Sequence, residues 1–325
     1  MRMLAPFISS ITALLLAGTA VADAPGAGTA PEALEEVLVT GEQPGPGLWK
    51  VSSGDHVLWI LGEVARQPGK VKWRSKRFEA LLGNSQEVLL DFSGVMWPNK
   101  LEEDAEARMR RLPAGQTLKD VVSPELYARA DAARKLYGTP ERIDGLRPFY
   151  AARRILLSAL RKLEMEKRFS ASFSVRKLAR RAWVDVTILD TPGQTHEEQL
   201  KNIEQGSTVA CLEMMVQIVE DGGSGLRRLA NAWSVGDIAA LRQLVPLYAL
   251  QPAHQESKCT VALYGGEQRA NEFVARRTEA WLSAAERALR ENKSTMAVVS
   301  MAELFAPDGY LAGLRARGYK VVEPS

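Results

Sequence analysis

Strand-forming runs stand at both ends of this chain of 325 residues, and most of the sequence between them is helical in pattern. Near the front, Trp49-Lys50-Val51 and Val57-Leu58-Trp59-Ile60-Leu61 flank Ser53-Gly54-Asp55, and the turn residues predict a β-hairpin. Glu87-Val88-Leu89-Leu90-Asp91 is a short apolar run between polar residues, the pattern of a buried strand. Near the end, Met296-Ala297-Val298-Val299 and Tyr319-Lys320-Val321-Val322 read as strands too. Asp308 can cap a helix between them that runs through Arg317, with Gly318 at its C′ position. Strand, short helix and strand in that order imply a parallel crossover. The expected architecture is therefore one α/β (or α+β) domain: a mixed central sheet built from both chain ends, with a helical middle.

In that middle, Ser75 to Leu82 suits a short helix, and Leu101 to Leu112 carries Asp104/Arg108 and Glu106/Arg110 at i,i+4. Ser123-Pro124 is a helix start, with Ser as cap and Pro in the first turn. Pro148 opens a helix whose Ala152, Ile155, Leu156, Ala159, Leu160 and Leu163 recur at three and four. Trp183 to Leu189 predicts a strand, and Thr195 with Glu198 forms a capping box. Helices are expected over Leu200–Val219, broken near Gly206, over Leu226–Leu244, and over Glu267–Arg290.

The N-terminus has the features of a targeting segment. Met1-Arg2-Met3 is a short positive region, Leu4 to Ala17 is almost uncharged, and Ala20-Val21-Ala22 is an A-x-A cleavage site. An apolar run this short falls below the ~20 residues that span a bilayer. The expectation is a signal peptide over residues 1–22 cleaved after Ala22, a flexible leader over 23–47 with a short strand near Glu35–Gly41, and a domain over 48–325. The mature protein would then be periplasmic or secreted, with no transmembrane span. An oxidising compartment favours pairing the two cysteines, Cys211 and Cys259. A net charge of +3 lacks the concentrated basic footprint of a nucleic-acid binder.

Several segments resemble the TraB/GumN family, which is akin to the Tiki metalloproteases. At the front these are Leu48 to Val51, Leu58-Trp59-Ile60-Leu61-Gly62-Glu63-Val64-Ala65 and Glu87 to Asp91. At the end they are Ala297-Val298-Val299-Ser300-Met301-Ala302-Glu303-Leu304, Asp308 to Leu311, and Leu314 to Tyr319. The resemblance covers Gly47 to Pro324. It implies two G-x-x-H motifs and strand-end acids that hold a divalent metal for hydrolysis. Here the first motif keeps Gly62 but ends in Ala65. The second reads Ser300-Met301-Ala302-Glu303, with neither its glycine nor its histidine. The family's acids fall at Asp91 and Asp190, each one methylene shorter than the usual Glu. An alanine cannot ligate a metal, and a carboxylate suits a different set of metals than histidine does.

Two readings of the remaining acids stay open. Glu63, Asp91, Asp190 and Glu303 converge at strand ends as an oxygen-only site for Mg²⁺, Mn²⁺ or Ca²⁺. Alternatively, Glu63 and Glu303 are solvated and the two Asp residues bond locally. The three histidines lie elsewhere: His56 at the hairpin turn, expected to be exposed, His196 in the capping box, and His254 in a loop. Arg147–Arg181 holds eleven Lys/Arg against two Glu, either a solvated face or a contact surface for anionic lipid or polysaccharide. The seven Trp are expected mostly in the core or at an interface. Function divides three ways: a catalytically degenerate exported protein that binds an envelope ligand or partner, a metal-dependent hydrolase or peptidase with altered carboxylate ligands, or a structural envelope protein with a basic contact helix.

Overall fold

A computed structural model describes residues 40–64, 71–74, 76–92, 109–139, 143–165, 170–191, 193–248 and 257–324. These belong to a single compact unit that begins at Glu36. The expected signal peptide, most of the leader, Ala65, most of the helix expected over 101–112, and His254 lie outside the described residues, as does the side chain of Asp190.

The strands are β1 (Gly41–Glu42), β2 (Leu48–Ser53), β3 (His56–Glu63), β4 (Val71–Lys72), β5 (Glu87–Phe92), β6 (Asp185–Asp190), β7 (Ser294–Ser300) and β8 (Lys320–Val322). Six form one mixed sheet in the order β6-β5-β7-β3-β2-β8, while β1 and β4 pair separately in parallel. The ends of the chain do meet: β7 lies between β5 and β3 and runs parallel to both. The expected hairpin β2–β3 is antiparallel, with Leu48 opposite Leu61 and Ser53 opposite His56. β8 closes the edge antiparallel to β2, so it shares the direction of β7 with two strands between them. The inner strands are apolar on both faces, as a sheet covered on both sides requires; Leu58, Ile60, Leu61, Val88, Leu89, Met296, Ala297 and Val298 are all buried.

The helices are α1 (Lys76–Gly83), α2 (Leu118–Val121), α3 (Pro124–Leu136), α4 (Pro148–Lys162), α5 (Ala171–Arg181), α6 (His196–Gln205), α7 (Val209–Val219), α8 (Ser224–Val235), α9 (Ile238–Tyr248), α10 (Lys258–Tyr264), α11 (Glu267–Glu291), α12 (Met301–Phe305) and α13 (Tyr310–Ala316). The starts follow their caps: Ser123 Oγ accepts from the amide of Leu126 at 3.1 Å, and Thr195 and Glu198 complete the capping box of α6. Two apolar cores result. One lies on the sheet under α1, α5, α11, α12 and α13. The other is helical, formed by α2, α3, α4, α6 and α7 with the first turns of α11. Within it Cys211 of α7 and Cys259 of α10 are joined, with 4.6 Å between their Cα atoms. The stripe of α4 faces this core: Ala152, Ile155, Ala159 and Leu160 are buried. Among the described residues no helix is long and apolar enough to cross a membrane.

Four expectations need correction. The helix expected over Leu226–Leu244 is two, because Gly236 adopts φ +76° and ends α8. The final helix starts at Tyr310 with Gly309 as its N-cap, so Asp308 does not cap it. His56 is not fully exposed, since its side chain is 20% accessible and its Nε2 lies 3.3 Å from Lys293 Nζ. Trp183 belongs neither to a strand nor to a core: it is 94% exposed with φ +58°, and β6 starts at Asp185.

Candidate functional site

The parallel pairing of β3 with β7 sets Gly62 beside Val299 and Glu63 beside Ser300. The two segments carrying the altered motifs therefore leave adjacent strands side by side. Ser300 caps the short helix α12, its Oγ accepting from the amide of Ala302 at 3.2 Å, and Glu303 sits in the first turn. Gly62 is retained for space, because a Cβ there would meet Met301 Sδ at 2.7 Å. Its carbonyl accepts the indole N–H of Trp233 at 2.7 Å.

At this strand end the acids do not converge as one group, and the pleat is the reason. Leu90 pairs with Val298, which brings Asp91 alongside Val299, whereas Glu63 pairs with Ser300. Neighbouring strand positions face opposite ways, so Glu63 and Asp91 project from opposite faces of the sheet. Glu63 meets α5, where it accepts the amide of Ser172 at 2.9 Å and the Ser172 hydroxyl at 2.5 Å. A carboxylate there satisfies a free donor in the first turn and complements the helix dipole. Burial nevertheless raises the proton affinity of Glu63; the Ser172 bonds oppose this and the charge of Asp91 adds to it.

Asp91 faces α11 and meets a residue that the strand-end reading missed. Arg277 clasps its carboxylate in a fork, Nε to Oδ1 at 3.1 Å and Nη2 to Oδ2 at 2.5 Å. The third nitrogen, Nη1, donates to Glu303 Oε1 at 3.3 Å. Tyr310, the first residue of α13, donates its hydroxyl to Asp91 Oδ2 at 2.7 Å and stacks on Trp281 at 4.1 Å between ring centroids. The side chains of Arg277, Asp91 and Glu303 are 3%, 2% and 4% exposed, so Glu303 is not a solvated acid. Asp190 pairs through its backbone with Phe92, one step beyond Asp91.

The charges in this cluster constrain one another. Burial opposes ionisation of Arg277, but the charges of Asp91 and Glu303 and the hydrogen bonds to Asp91 outweigh it and hold the guanidinium charged. Burial pushes Glu303 up to about 7, against the pull of Arg277 and with the repulsion of Asp91 and Asp308. The Tyr310 hydroxyl rises well above its ordinary value through burial and the negative charge of Asp91, and remains a donor. One cation thus sits between two carboxylates, and that of Glu303 titrates near neutrality.

These residues do not fit a divalent metal. Both oxygens of Asp91 are occupied, Glu303 faces a guanidinium, and a second cation would enter against the first. Among the described residues no group of three His, Cys, Asp or Glu is placed to hold an ion. His56 is at the far end of β3, and His196 opens α6 with both ring nitrogens buried and without a hydrogen-bond partner.

A sequence signal for Arg277 was present. Ala270, Phe273, Val274, Trp281, Ala284, Ala285 and Ala288 form the buried stripe of α11, and Arg277 falls within that register. A lone arginine in a buried helical stripe needs a carboxylate partner. A family model described as the TraB/PrgY/gumN family matches residues 47–323. No curated protein and no solved structure matches the chain.

Proposed function

The chain belongs to the TraB/PrgY/gumN family, and from that premise we propose that it is a catalytically degenerate member that works by binding. The observation that carries this reading is Arg277. Its guanidinium supplies, from within the protein, the positive charge that the family resemblance assigns to a metal, and it occupies the carboxylates that would hold one. With Glu303 at the second histidine position, the strand end is a closed ion-pair cluster that ties α11, α12 and α13 to the sheet. The rest of the scaffold is kept for a ligand or partner. Its setting is the cell envelope, after removal of a signal peptide at Ala22. The Cys211–Cys259 bond supports this, since such bonds persist in oxidising compartments.

A second reading, a hydrolase or peptidase with an altered carboxylate site, draws on Glu303. A buried acid with a proton affinity near neutrality suits general acid–base work. Metal analysis of the purified protein separates the two, with thermal melts in Mn²⁺, Co²⁺, Zn²⁺ and Ca²⁺. The binding reading expects no stoichiometric ion and melting temperatures unmoved by any of the four. One ion per chain, lost in Asp91→Ala or Glu303→Ala, would overturn it in favour of the hydrolase.

A further inference from the structure

The outer face of α5 and the turn that follows it carry a surface that folding alone does not explain. Phe173, Arg176, Lys177 and Arg180 recur at helical spacing on the side opposite the buried Ala171, Val175 and Ala179. Phe173 is 61% exposed, and Arg176, Lys177, Arg180 and Arg181 are all exposed. None of these four makes an ion pair or side-chain hydrogen bond with a described residue. Elsewhere in the basic stretch most of the described charges are in use, Arg161 being the exception. Arg147 bonds Met109 and Glu204, Lys162 bonds the carbonyl of Leu136, and Arg153 and Arg154 are also engaged.

Trp183 is the telling residue. The helix ends in a glycine-type motif: Ala182 is the C-cap, and the amide of Val184 reaches back to the carbonyl of Ala179 at 3.0 Å. The position between them takes φ +58°, a conformation that glycine adopts freely and a bulky side chain resists. Here it holds tryptophan, with 94% of its surface in water. A residue unfavourable for both backbone and solvent is placed there for an outside contact.

We propose that this face docks on an anionic lipid surface. Four unpaired cations and two projecting aromatics on the convex side of a helix match a charged headgroup layer and the apolar boundary beneath it. An Arg cluster reads acidic peptides too, but aromatics that project into solvent favour the lipid boundary. The inference deepens the binding reading by naming the partner, and it does not depend on the Arg277 cluster.

The test is co-sedimentation of the purified mature chain, beginning at Asp23, with vesicles of phosphatidylcholine containing 30% phosphatidylglycerol (roughly the charge of an anionic membrane). Pure phosphatidylcholine vesicles and a high-salt arm serve as comparisons. Binding is expected to the anionic vesicles alone and to weaken with salt. Arg176→Gln with Lys177→Gln should lower the partition coefficient roughly 30-fold, since each basic residue near the surface contributes about fivefold. Trp183→Gly should lower it roughly tenfold or more while leaving the melting temperature unchanged or higher. Vesicle binding undiminished in these variants, or equal binding to neutral vesicles, would overturn the proposal. So would no vesicle binding at all, or capture only by an acidic polysaccharide. Any of those results leaves the metal experiment unaffected, so the two readings fail separately.

Discussion

Replacing Arg277 with methionine isolates the energetics of the buried cluster. The substitution keeps the length and apolar stem of the side chain but removes the fork on Asp91 and the bond to Glu303. Two carboxylates are then left inside the protein at 2% and 4% exposure with no cation between them. Removing one partner of such a buried pair costs about 3–5 kcal/mol. For a domain of this size that corresponds to a fall in Tm of roughly 6–20 °C. The loss should also depend on pH in a defined direction. Without Arg277, the proton affinity of Glu303 loses the one pull that lowers it and stands further above its unfolded value, so the folded variant binds a proton and recovers stability as pH falls. Urea unfolding followed by tryptophan fluorescence at pH 5 and pH 8 measures both effects. A variant within about 1 kcal/mol of wild type at pH 8, or one equally destabilised at both pH values, would refute the account. Arg277→Lys, which keeps the charge but not the fork, should fall between the two.

Other expectations follow from neighbouring features. Glu303 rises from an ordinary value of 4.5 to about 7 in the fold, so wild-type stability should decline by roughly 3 kcal/mol as pH rises through that window. Glu303→Gln should flatten that decline in urea midpoints, leaving only the same-sign share of Glu63, and an unchanged slope would count against the assignment. Reducing the Cys211–Cys259 bond, which closes 48 residues, should cost about 4 kcal/mol in the chain-entropy account, read from melts with and without reductant. Gly62→Ala should destabilise by about 1–3 kcal/mol, because its Cβ would enter the thioether of Met301, and Met301→Ala in the same chain should relieve much of it.

The sheet was legible in the sequence because its strands are short, apolar and bounded by turn residues, and because the hairpin turn Ser53-Gly54-Asp55 fixes its own register. The disulfide was legible from the cysteine count, taken with the expectation of export. The break at Gly236 was not, since an isolated glycine within a helical pattern reads as tolerated until its φ is known. The site was half legible. The resemblance located Gly62, Asp91 and Glu303, but convergence of the acids failed on pleat parity, which needs the register across three strands. Arg277 was missed because an arginine in an amphipathic helix is ordinary, and its burial depends on where the middle of α11 lands. From the sequence Trp183 reads as the start of a strand; its backbone conformation and its exposure show otherwise.

The position of β7 has a consequence for how this protein comes into being. The strand that fills the middle of the sheet is synthesised more than 200 residues after the two strands it joins, and Arg277, Glu303 and Tyr310 follow Asp91 at a similar remove. Until they emerge, β3 and β5 have a gap where their shared neighbour belongs, and Asp91 has no cation. The nascent chain cannot close its core, and its assembly rests on pairings more than 200 residues apart, the kind that form slowly. A truncation before Ser294 would therefore remove the centre of the sheet rather than an edge. The sheet of the newly made chain stays open until β7 is available, and an unclosed sheet is the state in which a polypeptide can be threaded through a narrow channel.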